Sequence, residues 1–325
     1  MYRRLFTTIF LANLAVAISF AVQKGKISMA MLASACLGNL TAAVVIRQEH
    51  FVNLLFRGFS SVPKSWPLGI RKYCAKIYSL GGVHSGCAVF AVVWLVWLTV
   101  DITVNFVSTH EVRHSWSRRS PSKAKTLQVS RTTLALAWIL VVLLFLQAAS
   151  AYPIFRQRFH NHFEMTHRFA GWLAVGLVWA LVVSFTKDLQ PPGSMRDLGR
   201  ALVRTDCFWF LVVITASIIY PWLHLRKLAV RSEVLSSHAM RIFVRDRSYV
   251  NTHPGCFIRL SFDPLLEWHS FAAIQDSTSD RAADFSVVVS KAGDWTSHVI
   301  ANPPTALWLR GVPSKHLPPP CVGCG

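Results

Sequence analysis

The sequence predicts a mainly α, polytopic membrane protein: a six-helix bundle followed by a small C-terminal antiparallel β domain. Three observations carry that prediction. Of 325 residues, 53% are hydrophobic and only 15% charged, with a mean hydropathy of +0.39, which sets aside an ordinary soluble enzyme. Six apolar runs, at about 5–22, 27–46, 80–104, 132–152, 168–186 and 207–225, approach the ~20 residues a helix needs to cross a bilayer. After Leu225 these runs stop, and short β-branched and aromatic segments replace them.

The first run follows Arg3 and Arg4, with no small-residue cleavage site before a soluble region, and so reads as a transmembrane helix rather than a signal peptide. The second contains Asn39-Leu40-Thr41, a glycosylation sequon buried inside an apolar run where modification is not expected. Between the second and third runs lies a strongly basic connector with Arg47, Arg57, Lys64, Arg71, Lys72 and Lys76, broken by Pro63 and Pro67, which reads as cytoplasmic. The loop from His110 to Arg131, with Arg113, Arg118, Arg119, Lys123 and Lys125, is equally basic and falls on the other side of a six-helix alternation, so counting positive charges leaves the orientation ambiguous. Both termini are placed in the cytosol because the tail has the features of a nucleotide-cofactor domain.

Net charge is +19, and its location decides its meaning. Residues 1–225 hold 23 Lys and Arg against 7 Asp and Glu, whereas residues 226–325 hold 11 against 8. The excess sits in loops beside apolar runs, where basic groups gain from anionic headgroups, so membrane lipid rather than nucleic acid is the expected partner. The seven cysteines form no disulfide framework: Cys36, Cys87 and Cys207 fall in or beside apolar runs as small hydrophobes, and Cys321 and Cys324 make a lone Cys-x-x-Cys.

The third run opens with Leu80-Gly81-Gly82-Val83-His84-Ser85-Gly86 and the fifth with Thr166-His167-Arg168-Phe169-Ala170-Gly171-Trp172. An ionisable side chain at a membrane threshold is costly unless it pairs, binds something or faces water. His84 and His167, entering parallel helices at one depth, suit a flat metallocofactor, and haem with two axial imidazoles fits best. The alternative is that each ring bonds a neighbouring carbonyl. The fourth-to-fifth connection carries His160 and His162; His160 shares a helical face with His167. Either replaces His167 as a ligand or bonds a propionate, or both belong to a wet headgroup loop. His110 and His114 lie in a charged loop and are assigned no role. Asp101, near a helix end, is the one carboxylate in the apolar runs, and no internal repeat is visible, which speaks against a transporter.

Beyond the sixth run, residues 240–244, 256–262 and 285–290 read as strands of a small antiparallel sheet or barrel, with turns at Pro254-Gly255 and Gly293-Asp294. On the residues alone, Trp268 and Phe271 are sheet-core aromatics and Gly293-Asp294 a hairpin turn. The domain division is 1–225, 226–312 and a Pro-, Gly- and Cys-rich disordered tail at 313–325.

Taken together, Gly81-Gly82-Val83-His84-Ser85-Gly86, Thr166-His167-Arg168-Phe169-Ala170-Gly171-Trp172 and Glu267-Trp268-His269-Ser270-Phe271 resemble the ferric reductase and NADPH oxidase superfamily, and within it the fungal TmpA-type integral membrane oxidoreductases. The resemblance spans about residues 30–312. It implies a relay in which NAD(P)H reduces FAD in a cytosolic domain and FAD passes electrons to b-type haem. His84 and His167 match the inner-haem positions. Full members carry a second histidine about thirteen residues further along each helix; here those positions hold Trp97 and Ala180, so one haem is expected.

The family's flavin motif is matched by Trp268, His269, Ser270, Phe271 and Ala272, where Phe271 supplies the aromatic cover and Ser270 stands nearest the hydroxyl that Ala272 lacks. Gly293, Trp295 and Thr296 match a Gly-x-Trp-Thr segment near the flavin phosphates. No G-x-G-x-x-G follows, so the reducing equivalents are expected from a separate NAD(P)H-dependent reductase, or the chain is a truncated member. The competing class is a non-catalytic regulatory or scaffolding membrane protein built on the same bundle.

Overall fold

The structure, a computed structural model, describes residues 1–22, 27–116, 128–190, 197–245, 256–275 and 284–311. Arg118, Arg119, Lys123, Lys125, the Pro254-Gly255 turn and the tail with Cys321 and Cys324 lie outside the described residues, as do the side chains of His110, Arg113 and His114.

In chain order the first helices are α1 (Tyr2–Val22), α2 (Met29–Val45), α3 (Glu49–Ser60), α4 (Leu68–Cys74), α5 (Gly81–Trp116) and α6 (Arg131–Ser150). They are followed by α7 (Pro153–Arg158), α8 (His160–Asp188), α9 (Leu198–Val203) and α10 (Asp206–Leu223). The remainder runs β1 (Arg226–Ser236), β2 (Ala239–Arg245), β3 (Phe257–Ser261), β4 (His269–Ala272), β5 (Ile274–Gln275), β6 (Asp284–Ser290), α11 (Asp294–Ala301) and β7 (Ala306–Arg310). Among the described residues, five helical stretches are long and apolar enough to cross a membrane, or six if the bent pair of α2 and α3 counts as one span. Two compact units result, Met1–Ile46 with Ser79–Ser217, and Arg47–Tyr78 with Ile218–Gly325.

In the first unit α5 is the hub: α1, α2 and α6 pack on it, and α8 packs on α6. The sequence makes this close packing possible at two glycines. A Cβ on Gly82 would run into the Tyr2 carbonyl, and one on Gly86 would lie 2.9 Å from Ile9 Cγ2, so both leave α1 room against α5. The interior tie is polar. Asn13 Oδ1 accepts from Asn39 Nδ2 at 2.8 Å and from the Trp94 indole at 3.4 Å, joining α1, α2 and α5 around a fully buried ring. Asn39, the sequon residue, is thus part of the packing. At the start of α6, Ser130 caps the Thr133 N–H, and Asp188 from the end of α8 accepts the Ser130 N–H at 2.9 Å and the Thr133 hydroxyl at 2.6 Å.

The second unit is built on a seven-stranded sheet in the order β4-β3-β7-β1-β2-β6-β5, every neighbouring pair antiparallel. The sheet curls enough to bring β4 against β6. Alternation along β2, β6 and β7 turns Met240, Ile242, Val287, Val289, Leu307 and Leu309 inward, where Trp295, Val299 and Ile300 of α11 meet them.

Strands expected at 240–244, 256–262 and 285–290 correspond to β2, β3 and β6. One expectation needs correction. Gly293-Asp294 opens α11 rather than turning a hairpin, because Thr296 three residues on caps the chain there. The basic connector contains two short helices: Gln48 caps α3 by accepting the Phe51 N–H at 2.6 Å, and Pro67 precedes α4, where a missing N–H costs nothing.

Candidate functional site

His84 lies in the first turn of α5 and His167 two turns into α8, both half-buried. Their ring centroids are 6.5 Å apart, at an interplanar angle of 67°. His84 Nδ1 donates to the Ala43 carbonyl at 2.8 Å. A carbonyl only accepts, so that bond places a proton on Nδ1. The carbonyl-bonded ring foreseen as the alternative to ligation is therefore present, and it is also the orienting bond that metal-ligating histidines use. On α8, Gln147 Nε2 donates to the His167 carbonyl at 2.9 Å, and Gly171 admits it, since a Cβ there would stand 3.3 Å from that nitrogen. The Phe163 ring lies 5.1 Å from His167, and Arg168 pairs with Glu164 at 2.8 Å.

Two imidazole nitrogens each about 2 Å from a shared metal put the ring centroids about 6 Å apart. The observed spacing therefore fits a metal held between His84 and His167. His160 and His162 are exposed, and His160 bonds its neighbour Asn161. Further along α5, Trp97 stacks on Trp94 at 5.8 Å and 13°, and the Phe20 ring meets Trp94 at 5.6 Å.

In the second unit the residues matched to the flavin motif divide between two faces. His269 and Phe271 turn toward Trp295, His269 stacking on it at 4.2 Å and 22°, Phe271 at 5.8 Å. Glu267 pairs with His269 at 3.2 Å. Ser270 and Ala272 are exposed on the opposite face of β4. Trp268 is buried, donates its indole N–H to the Pro264 carbonyl and lies under the Arg310 guanidinium at 4.1 Å. The Thr296 hydroxyl accepts the N–H groups of Ala292 at 2.8 Å and Gly293 at 3.0 Å, so the groups expected beside flavin phosphates are engaged with one another.

A polar cluster that sequence reasoning missed lies where α3 meets β3 and β7. Glu49, 2% exposed, pairs with Arg259 at 3.1 Å and Arg310 at 3.3 Å. Asn53, one turn on, accepts the Phe257 N–H at 3.0 Å and donates to the Phe257 and Gly311 carbonyls at 2.9 Å each. Gly311 holds φ at +86°, a conformation glycine supplies without strain. His50 packs its ring on Tyr220 at 4.8 Å and His224 at 5.1 Å. Burial, the nearby His224 and then Arg310 push the His50 imidazole down to about 4. The available signal was Glu49 itself, the only Asp or Glu in the first 100 residues.

No protein-family model matches the chain. It is 41% identical over 314 residues to adenylate-forming reductase 03009 of Coprinopsis cinerea and 42% identical over 315 residues to adenylate-forming reductase 06235 of the same fungus. Each match takes in 97% of this chain but 28% of the relative's length. Among solved structures, a flavohemoglobin from Malassezia yamatoensis with bound FAD and haem aligns over 86% of this chain and 63% of its own, at 10% identity and a TM-score of 0.25. That likeness is too slight to indicate a shared fold.

Proposed function

We propose that the chain is a membrane oxidoreductase of the ferric reductase and NADPH oxidase type. In this reading α1, α2, α5, α6, α8 and α10 span the bilayer, His84 and His167 would hold one b-type haem, and the β domain would bind FAD in the cytosol. The spacing of the two rings, with His84 oriented by the Ala43 carbonyl, is the observation that carries it. With 17 residues, α2 meets the lower limit of about 17 for a span. A haem held by His84 and His167 would supply single-electron exchange.

Around it, this chain's residues orient and insulate. Ala43 holds the tautomer of His84, Gln147 braces the backbone at His167, and the apolar bundle excludes water. For the flavin, half-buried Phe271 offers an aromatic cover, whereas the hydroxyl of Ser270 lies on the opposite face of β4 and Trp295 is already covered by His269. Reduction is the part of the relatives' names this reading shares; the electron donor is a separate NAD(P)H-dependent reductase or another part of a longer chain.

A second reading, a non-catalytic scaffold, is favoured by one feature: Gly293 and Thr296 bond each other, and Asp294 brings negative charge to the start of α11. Absorption spectra of the purified full chain decide between them. The first reading expects b-type haem bands that His84→Ala or His167→Ala abolishes and His160→Ala or His162→Ala leaves, with flavin fluorescence released on denaturation. A protein carrying neither chromophore overturns it in favour of the scaffold.

A further inference from the structure

We propose that residues 58–78 form a docking surface for anionic phospholipid. The inference rests on the reading that α2 and α5 cross the membrane. From Gly58 to Tyr73 every residue but Val62 is exposed. Within that stretch the exposed side chains include Phe59, Trp66, Leu68, Ile70 and Tyr73, and Tyr78 follows at 74% exposure. A water-facing surface rarely carries so many large apolar groups in one run.

The charge is one-sided: Lys64, Arg71, Lys72 and Lys76 are interleaved with these rings, and no Asp or Glu occurs from Gly58 to Tyr78. Arg71 donates to the Lys64 carbonyl at 3.0 Å, and the Lys76 ammonium lies 5.1 Å from the Tyr73 ring, so cations and aromatics are held side by side. Trp and Tyr beside Lys and Arg is the combination suited to a headgroup layer, where rings enter the acyl boundary and cations meet phosphates.

The partner's identity follows from continuity. The chain leaves α2 at Val45, passes through α3 and this segment, and enters α5 at Gly81, so the stretch is joined in sequence to two helices read as spans. α3, whose last turn opens the segment, is held on the sheet by Glu49 and Asn53 and leaves Leu54 and Phe59 exposed.

Amide hydrogen exchange on the full chain in nanodiscs of phosphatidylcholine, alone or mixed with phosphatidylserine, tests this. Residues 58–78 should exchange more slowly with phosphatidylserine present. Lys64→Glu, Arg71→Glu and Lys72→Glu should each lower that slowing about fivefold, and the triple variant should abolish it. The triple Lys64→Arg, Arg71→Lys, Lys72→Arg should retain it. Equal exchange in both lipids, a charge-reversed triple that keeps the slowing, or equal slowing in detergent without lipid overturns the proposal while α5 and α8 stay protected. Rapid exchange within α5 and α8 in both discs overturns the span reading, and the proposal with it.

Discussion

His50 shows how one side chain makes the second unit sensitive to acid. Its imidazole, held down to about 4 against an ordinary 6.5, is neutral at pH 7 in the folded chain. Between those values the unfolded chain takes up a proton that the folded chain refuses, so stability is full above 6.5 and falls as pH drops toward 4. Unfolding of the full chain followed by tryptophan fluorescence should show that decline, and His50→Phe should flatten it. Its neighbour Glu49 was visible in the sequence as a lone acid in a basic stretch, but its partners were not. Arg259 and Arg310 follow more than 200 residues later, and nothing local in the sequence links them to it.

Long helices were legible because a run of about 20 apolar residues has few other fates. Their extents were not: α5 continues to Trp116 and α8 begins at His160, past the apolar runs into polar flanks that helical hydrogen bonding still satisfies. β1 escaped because Arg226, Lys227, Arg231 and Glu233 mask its alternation, most of the strand being exposed. The glycines of α5 were read as part of a histidine motif, whereas their contacts assign Gly82 and Gly86 to helix packing. Gly86→Leu should therefore push Ile9, and α1 with it, away from α5 and lower the unfolding midpoint in detergent through an overpacking cost of about 1–3 kcal/mol. Gly176→Leu, at a position with open space, should not, and a heat-denaturation series on the two variants checks the contrast.

Each unit of the whole molecule is assembled from two separate stretches of chain, a fact that hydropathy alone does not encode. What reveals it is the pairing of α3 with β3 and β7 through Asn53, Glu49 and the two arginines. A fragment of residues 226–311 by itself should therefore aggregate or unfold without cooperativity. The same fragment extended back to 218 and fused to residues 47–60 should give a sigmoidal denaturant transition. Asn53 bonds residues 204 and 258 positions downstream. At ribosomal speeds of about 5–20 residues per second, α3 emerges roughly 10–50 s before the strands it completes. The nascent chain must shelter a carboxylate meant for burial throughout that interval, which makes biogenesis, rather than the finished fold, the stage at which substitutions around Glu49 are most exposed to quality control.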